Sequence, residues 1–157
     1  MPKQPILEFI RWSRPHRLTP DTGFVRDDDV GVYVIYSDAH YWDFGEYGGS
    51  SILYFGSGVI TERWSAHATG AKGGNPRVYR HLTSTGARLR ARFARLSESA
   101  ARCFEAELID DFVAAYGDRP YANRVGGSCA VDSAGYVFVE PNPIIRAQHV
   151  EARRRTG

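Results

Sequence analysis

The chain has 157 residues, which fits one domain of ordinary size and excludes a large multidomain machine. Hydrophobic residues make up 43% of it, enough for a packed core, so a disordered chain is also excluded. The net charge of +2, from 20 basic and 18 acidic residues, favours no class of partner by itself. Of the basic residues only two are lysine. Arginine suits paired contacts with phosphate oxygens, although codon bias is an alternative explanation.

The expected compartment follows from what the sequence lacks. No apolar run approaches the roughly 18–20 residues that cross a bilayer, and the first ten residues do not resemble a signal peptide. The two cysteines, Cys103 and Cys129, are too few for a disulfide framework. We therefore expect reduced thiols in a cytoplasmic protein that has no membrane partner.

The first 29 residues predict an irregular extension. Residues 6–12 carry apolar side chains at helical spacing, so they predict a short helix packed on the main domain. The chain that follows is rich in Pro, Asp and Gly. These residue types are typical of turns and loops.

Two strands are predicted next. Residues 30–36 (VGVYVIY) are β-branched and aromatic, and residues 51–56 (SILYFG) have a similar character. Residues 37–50 are rich in Gly, Ser, Asp and Tyr and predict a loop. The two strands are therefore expected to form a hairpin with a long connection.

Two helices should follow this hairpin. Residues 58–68 place apolar side chains at the spacing of one helix face. Asn75 is a suitable N-cap and Pro76 suits a first helical position, so a second helix is predicted over 76–84.

A strand and a long helix complete the core. Residues 87–96 alternate between arginine and apolar side chains, which is typical of a half-buried strand. The arginines of one face are Arg88, Arg90 and Arg92. Ser97 is a suitable cap for a helix that runs to 116 and stops at Gly117.

The C-terminal part predicts a weaker hairpin, over 129–131 and 136–140, and then a short basic tail. We divide the single domain, 1–157, into an extension (1–29), a core (30–124) and a hairpin with tail (125–157). The core order β-β-α-α-β-α predicts an α+β fold. It would hold a small three-stranded antiparallel sheet flanked by helices, with the extra C-terminal hairpin.

Five polar residues of the core are candidates for chemistry. Arg63 and His67 are four apart, so they share a helix face, which otherwise would be merely solvated. Glu105 lies on or beside the buried stripe of the last helix, where a carboxylate needs a partner or a metal. The alternative is that the helix is rotated and Glu105 is exposed. Tyr33 and Tyr54 occupy similar places in the two strands, although core tyrosines are common.

Together these residues resemble the GIY-YIG nuclease family. Residues 31–33 (GVY) are similar to its first motif and 54–56 (YFG) to its second. Arg63 and His67 match its arginine and the histidine or tyrosine that follows, and Glu105 stands three before a Leu-Ile pair, as the family's glutamate does. Asn123 matches an asparagine after a turn that contains proline. The resemblance covers roughly residues 30–124, and the predicted element order agrees with the family's fold.

The resemblance implies a metal-dependent endonuclease that hydrolyses phosphodiester bonds in DNA. Glu105 would hold one Mg²⁺ or Mn²⁺ ion, and Arg63 would neutralise charge on the phosphoryl oxygens. Asn123 would orient a neighbour or anchor the helix end. The candidates for activating the attacking water remain open and are Tyr33, Tyr54 and His67.

The net charge hides a division that fits this function. Residues 63–102 carry nine basic side chains and one acidic, whereas 21–62 carry one basic and eight acidic. The basic block predicts a phosphate-binding face and DNA binding that weakens with salt. Its candidate DNA contacts are Lys72, Arg77, Arg80, Arg88, Arg90 and Arg92.

Two departures from the family's pattern leave alternatives open. The connection between the tyrosine motifs is longer than usual, and Ser57 and Gly58 follow the second motif where a lysine is often found. The alternatives are a non-catalytic DNA-binding module on a decayed nuclease scaffold, and an unrelated α+β protein. Cutting both strands at one site would call for a symmetric dimer, so a homodimer is a further expectation.

Overall fold

The fold is built on a strand that is buried along almost its whole length. In the computed structural model, β3 (Val30–Ser37) lies between β6 (Ile52–Val59) and β7 (Leu89–Arg95) and pairs antiparallel with both. Its β-branched and aromatic residues suit this central position. The structure describes residues 4–84, 88–124, 126, 129, 135–141, 143 and 145.

Among the described residues the main sheet has four strands, one more than the three that were predicted. The N-terminal extension supplies β2 (His16–Arg17), which pairs antiparallel with β7. The strand order is therefore β2-β7-β3-β6. A two-residue strand carries too little periodicity to be recognised from sequence. Because β6 is the last strand in this order, one of its sides is not covered by another strand of the sheet.

Among the described residues, three helices of at least nine residues cover the two faces of this sheet, and the predicted α+β class is confirmed. The helices are α1 (Ile60–Thr69), α2 (Pro76–Ser84) and α3 (Glu98–Tyr116). On one face α3 packs Phe104, Leu108 and Phe112 against Val32 and Val34 of β3. On the other face α1 and α2 pack against the neighbouring side chains of the same strand. Alternation along a strand thus feeds two separate cores.

The caps explain where the helices begin and end. The side-chain oxygen of Asn75 accepts hydrogen bonds from the backbone N–H groups of Arg77 and Val78, at 2.9 and 3.2 Å. Ser97 accepts from the N–H of Ala100 at 3.3 Å. Gly117 ends α3 in the left-handed region, with φ 77°, where a side chain would be strained.

The connection over 37–50 contains ordered structure rather than an open loop. Two short antiparallel strands, β4 (Trp42–Asp43) and β5 (Gly49–Ser50), enclose a 3₁₀ turn at Gly45–Tyr47. The side chain of Trp42 is buried in the core on the α1 side of the sheet. The long connection therefore packs back on the domain.

The N-terminal helix predicted over 6–12 is wrong. Residues Ile6–Phe9 form β1, which pairs in parallel with β8 (Tyr136–Val139). The apolar spacing suited a helix, but the partner strand lies about 130 residues away in sequence and local pattern cannot reveal it. Strand β8 thus pairs with the N-terminal extension. Residues 130 and 131 of the other strand predicted for the C-terminal hairpin lie outside the described residues, as does most of the basic tail.

The prediction of two reduced cysteines is also wrong. Cys103, in α3, forms a disulfide with Cys129, in the segment that follows the core. Two cysteines are enough for one bridge when the fold brings them together. Since disulfides are rare in the cytosol, the expectation of a cytoplasmic protein loses its main support. Among the described residues, no helix is long and apolar enough to cross a membrane.

Candidate active site

The candidate residues meet in a hollow beside the uncovered edge of β6, which we call the edge hollow. It has a volume of about 580 Å³. Strand β6 supplies Tyr54 and Ser57, α1 supplies Arg63, and α3 supplies Glu105. The loop between α1 and α2 adds Lys72. Three consecutive segments and the distant helix α3 thus contribute polar side chains to one surface depression.

Glu105 is partly buried in this hollow, and the alternative of a fully exposed side chain is ruled out. The hydroxyl of Ser57 donates a hydrogen bond to its Oε2. Burial raises the pKa of the Glu105 carboxyl, while the Ser57 hydrogen bond, Arg63 and Arg102 oppose that rise. The result is a carboxylate in a restricted, partly dehydrated setting with cations nearby.

Arg63 reaches the hollow from the exposed side of α1. Its Nη1 donates to the carbonyl of Gly73 at 3.0 Å, which fixes the guanidinium against the α1–α2 loop. Gly58 lies below it with φ 136°, and a Cβ there would come within 3.1 Å of the arginine Nε. Gly58 therefore makes room for Arg63.

A buried chain of hydrogen bonds lies behind the hollow. The backbone N–H of Asn75 donates to Nδ1 of His67 at 2.9 Å. Because Nδ1 accepts, the ring proton of neutral His67 is on Nε2, which lies 2.7 Å from the Tyr33 hydroxyl and donates to it. His67 and Tyr33 are only 1% and 2% exposed. Neither side chain is open to substrate.

Tyr54 lies next to this buried chain and lines the edge hollow. Its ring centroid is 6.1 Å from that of Tyr33 and 5.1 Å from that of His67. Burial raises both phenol pKa values above the ordinary range, more strongly for Tyr33. The two buried rings therefore pack against Tyr54 on the side away from the hollow.

His67 does not have the properties of a general base at neutral pH. Burial, assisted by the charge of Arg63, lowers its pKa to about 4. One ring nitrogen accepts from a backbone N–H and the other donates to Tyr33. A further proton has no place on the ring unless a hydrogen bond breaks. His67 is suited to holding Tyr33 in position.

Asn123 is a structural clamp on β6 rather than a member of the hollow's inner wall. Its Oδ1 accepts from the N–H of Phe55 and its Nδ2 donates to the carbonyl of the same residue, both at 3.0 Å. The neighbouring Ala122 N–H donates to the carbonyl of Leu53. These bonds satisfy backbone groups that the missing neighbour strand would otherwise pair, on either side of Tyr54.

The predicted DNA-contacting cations divide into two groups. Lys72 lines the edge hollow, and Arg77 and Arg80 line adjoining depressions on α2. The arginines of β7 belong to a strand two positions away from β6. Arg90 pairs with Asp38, and Arg92 donates to the carbonyl of Ser13. Arg88 is exposed at the start of the same strand. The structure does not bring these three into the hollow.

Sequence reasoning missed several supporting residues of the site. Ser57 was seen only as a substitute for the usual lysine, and Asn75 only as a helix cap. Arg102 also lines the hollow. Its spacing of three from Glu105 places the two on one helix face and was the available signal. The contact between Ser57 and Glu105 spans 48 residues and had no local signal.

The carboxylates of the hollow fit one way of holding a divalent cation and not another. Among the described residues, no group of three or more His, Cys, Asp or Glu side chains could hold a metal ion. Magnesium, however, usually keeps several waters and uses one or two carboxylates together with substrate phosphates. Three carboxylates line the hollow, and Glu105 is the partly buried one, whereas Glu62 and Glu98 are exposed. Glu105 fits that mode, and the described residues do not form an all-protein metal cage.

Comparisons of the chain with family models, with curated proteins and with solved structures find no match.

Proposed function

We propose that this protein is a divalent-metal-dependent DNA endonuclease of the GIY-YIG type. The observation that carries the proposal is the convergence of Tyr54, Arg63 and Glu105 in one open hollow. Tyr33 packs behind Tyr54, with 6.1 Å between the ring centroids. A chance resemblance among unrelated residues gives no reason for a phenol, a guanidinium and a carboxylate from three elements to meet.

The reaction adds water across a phosphodiester. The oxygen of water bonds to phosphorus, the bond from phosphorus to one sugar oxygen breaks, and the proton lost by water balances the one gained by that sugar oxygen. Glu105 would hold the cation, which when bound polarises the phosphate and stabilises the leaving oxygen. Arg63 neutralises the charge that grows on the phosphoryl oxygens.

Tyr54 is the group best placed to orient the attacking water and accept its proton, because it is the tyrosine that lines the hollow. Its raised pKa makes it a weak acid, and a positive charge near Glu105 is needed to favour the phenolate. Tyr33 and His67 form a hydrogen-bonded pair whose rings pack against the ring of Tyr54. Lys72 supplies the phosphate contact that the absent motif lysine would make.

The decisive experiment is a plasmid-nicking assay with Mg²⁺ or with EDTA. The wild-type chain should nick supercoiled plasmid only with the metal, and Glu105→Ala should lose at least about 100-fold in rate because the metal supplies several kcal/mol. Asp110→Ala is the matched control, since Asp110 is an exposed carboxylate on the same helix. Plasmid binding by Glu105→Ala in EDTA should stay close to that of wild type.

The outcomes separate the competing functions. Full metal-dependent nicking by Glu105→Ala would overturn the assignment of the site. Binding without nicking by the wild-type chain, under all metals tried, would instead indicate a non-catalytic DNA-binding module. Absence of both binding and nicking would favour an unrelated α+β protein.

A further inference from the structure

A second depression lies on the other side of the Asn123 clamp, and we call it the aromatic groove. It has a volume of about 750 Å³, within the roughly 300–1,000 Å³ typical of ligand sites. Its lining is unusual in combining aromatic rings with arginines. The residues used below are Trp42, Tyr47, Arg77, Arg119, Tyr121 and Arg124.

The groove is continuous with the edge hollow. A smaller depression of about 230 Å³ lies between them. It shares Tyr54 and Glu105 with the edge hollow, and Asn123 and Arg124 with the aromatic groove. A chain that occupies the edge hollow therefore has a path along the surface into the groove.

Two tyrosine rings of the groove are presented to solvent, whereas Trp42 is buried beneath them. Tyr121 is 51% exposed and Tyr47 is 42% exposed. The rings of Tyr121 and Trp42 are nearly parallel, with 17° between their planes and 6.3 Å between centroids. Exposed aromatic faces of this kind can stack on flat apolar groups.

The charged groups of the groove favour an anion. The guanidinium of Arg77 lies 5.4 Å from the centre of the Tyr121 ring, and its Nη1 donates to the Tyr121 carbonyl at 2.7 Å. Arg119 and Arg124 add two further cations. The two carboxylates of the lining, Asp43 and Asp118, each accept a backbone N–H, from Gly45 and Arg119 respectively.

We propose that the aromatic groove binds unpaired DNA nucleotides that adjoin the phosphate in the edge hollow. Sequence-tolerant sites for single strands combine backbone-tracking cations with aromatic rings that stack on bases. In a duplex, the faces of the bases are already stacked on one another, so exposed rings gain little. The preferred substrate would then carry a single strand, a flap or a frayed end. Only the position relative to the cleaved bond rests on the proposed function.

The test measures binding without cleavage. Fluorescent single-stranded DNA and a blunt duplex of the same sequence are titrated with protein in EDTA, and the dissociation constants come from anisotropy. Tyr121→Ala should weaken single-strand binding by about 5- to 150-fold, the range for losing one base stack, and duplex binding by less than about twofold. Tyr121→Phe keeps the ring and should bind as wild type does.

Two further variants test whether the effect belongs to the aromatic groove. Tyr79→Ala removes another exposed tyrosine, one that lies outside the groove, and should leave single-strand binding unchanged. Arg124→Ala should weaken single-strand binding and reduce its dependence on salt concentration by about one phosphate contact. The carbonyl that Arg77 binds is backbone, so its hydrogen bond survives the change of Tyr121 to alanine.

The proposal is overturned if Tyr121→Ala leaves single-strand binding unchanged, or if it weakens duplex and single strand equally. Tighter binding of the matching single-stranded RNA than of DNA, lost in the same variant, would replace DNA by RNA as the ligand and overturn the proposal as stated. The two proposals can fail independently. Inactivity in the nicking assay would contradict the nuclease assignment, but it would not change the ratio of single-strand to duplex binding measured in EDTA.

Discussion

The wall of the edge hollow and the layer behind it contain residues of the same motifs but differ in access to solvent. Tyr54, Arg63 and Glu105 line the hollow, whereas Tyr33 and His67 are almost completely buried. The two tyrosines lie on the same face of adjacent strands, yet β6 is at the edge of the sheet and β3 is at its centre. Position in the sheet therefore separates a group that can contact substrate from a group that packs behind it.

This difference also explains the neighbouring glycine. A Cβ at Gly56 would lie 2.3 Å from the Tyr33 hydroxyl, far inside contact distance. The glycine of the second motif thus leaves space for the buried phenol to reach Tyr54 across the strand pair. Any side chain at position 56 should displace Tyr33 and remove its packing against Tyr54 in the wall of the hollow.

The comparison between the wall and the buried layer is tested most strongly by the two tyrosines, whose variants should differ most in nicking rate. Tyr54→Phe should reduce the nicking rate by about 10²- to 10⁴-fold, the range for general acid–base groups, with plasmid binding retained. Tyr33→Phe removes a buried hydroxyl that is bonded to His67 and keeps the ring beside Tyr54, so it should cost less than about tenfold. Single-turnover nicking rates of both variants give the ratio. A larger loss for Tyr33→Phe would reverse the roles assigned here.

A smaller but still large effect is expected for the cation of the wall. Arg63→Ala should reduce the single-turnover rate by about 10²- to 10³-fold, as for the loss of one group that stabilises transition-state charge. Arg90→Ala is the matched control, because its guanidinium is paired with Asp38 on a strand away from the hollow. Equal losses of nicking rate for the two variants would indicate a general electrostatic effect. Arginines in the wall of the edge hollow would then not differ from arginines elsewhere on the surface.

The smallest effect concerns the buried layer and appears in stability rather than rate. The pKa of His67 is lowered to about 4 in the folded protein, below an ordinary value of about 6.5, so the unfolded chain takes up the proton first. Its contribution to stability is complete above pH 6.5 and is lost as the pH falls towards 4. Between pH 7 and pH 4, the free energy of unfolding should therefore fall by about 3 kcal/mol more for wild type than for His67→Gln.

Urea unfolding at pH 7 and pH 4 measures that difference, and titrations of other groups are common to both chains. Parallel losses in wild type and His67→Gln would show that His67 is not held neutral by the fold. The same two proteins test the role of His67 in the reaction. If His67 is not the base, the pH profile of the nicking rate should show no inflection from His67 titration between pH 6 and 9. Such an inflection, absent in the variant, would restore it as a base.

Much of the architecture was predictable because its signals are local. The caps at Asn75 and Ser97 act within three residues, and the predicted helices over 76–84 and 97–116 agree closely with α2 and α3. The alternation of 87–96 likewise agrees with β7. In each case the residues that determine the element are the ones that form it.

The failures all involve partners distant in sequence. Strand β1 is paired by β8, about 130 residues away, and the spacing of its apolar residues allowed a helix equally well. The disulfide of Cys103 depends on a segment 26 residues away. The arginines of β7 were correctly placed on one face, but their engagement with Asp38 and Ser13 was not visible in the pattern.

The sequence by itself determined which residue types and which elements were present, because helix caps, strand alternation and motif spacing act over a few positions. Only the tertiary structure decided which polar groups meet. It placed β6 at the sheet edge, so Tyr54 faces a hollow while Tyr33, one strand further in, is buried. Sheet order and the burial it imposes depend on contacts between distant segments, and these set the access, the hydrogen-bond partners and the pKa of each candidate residue.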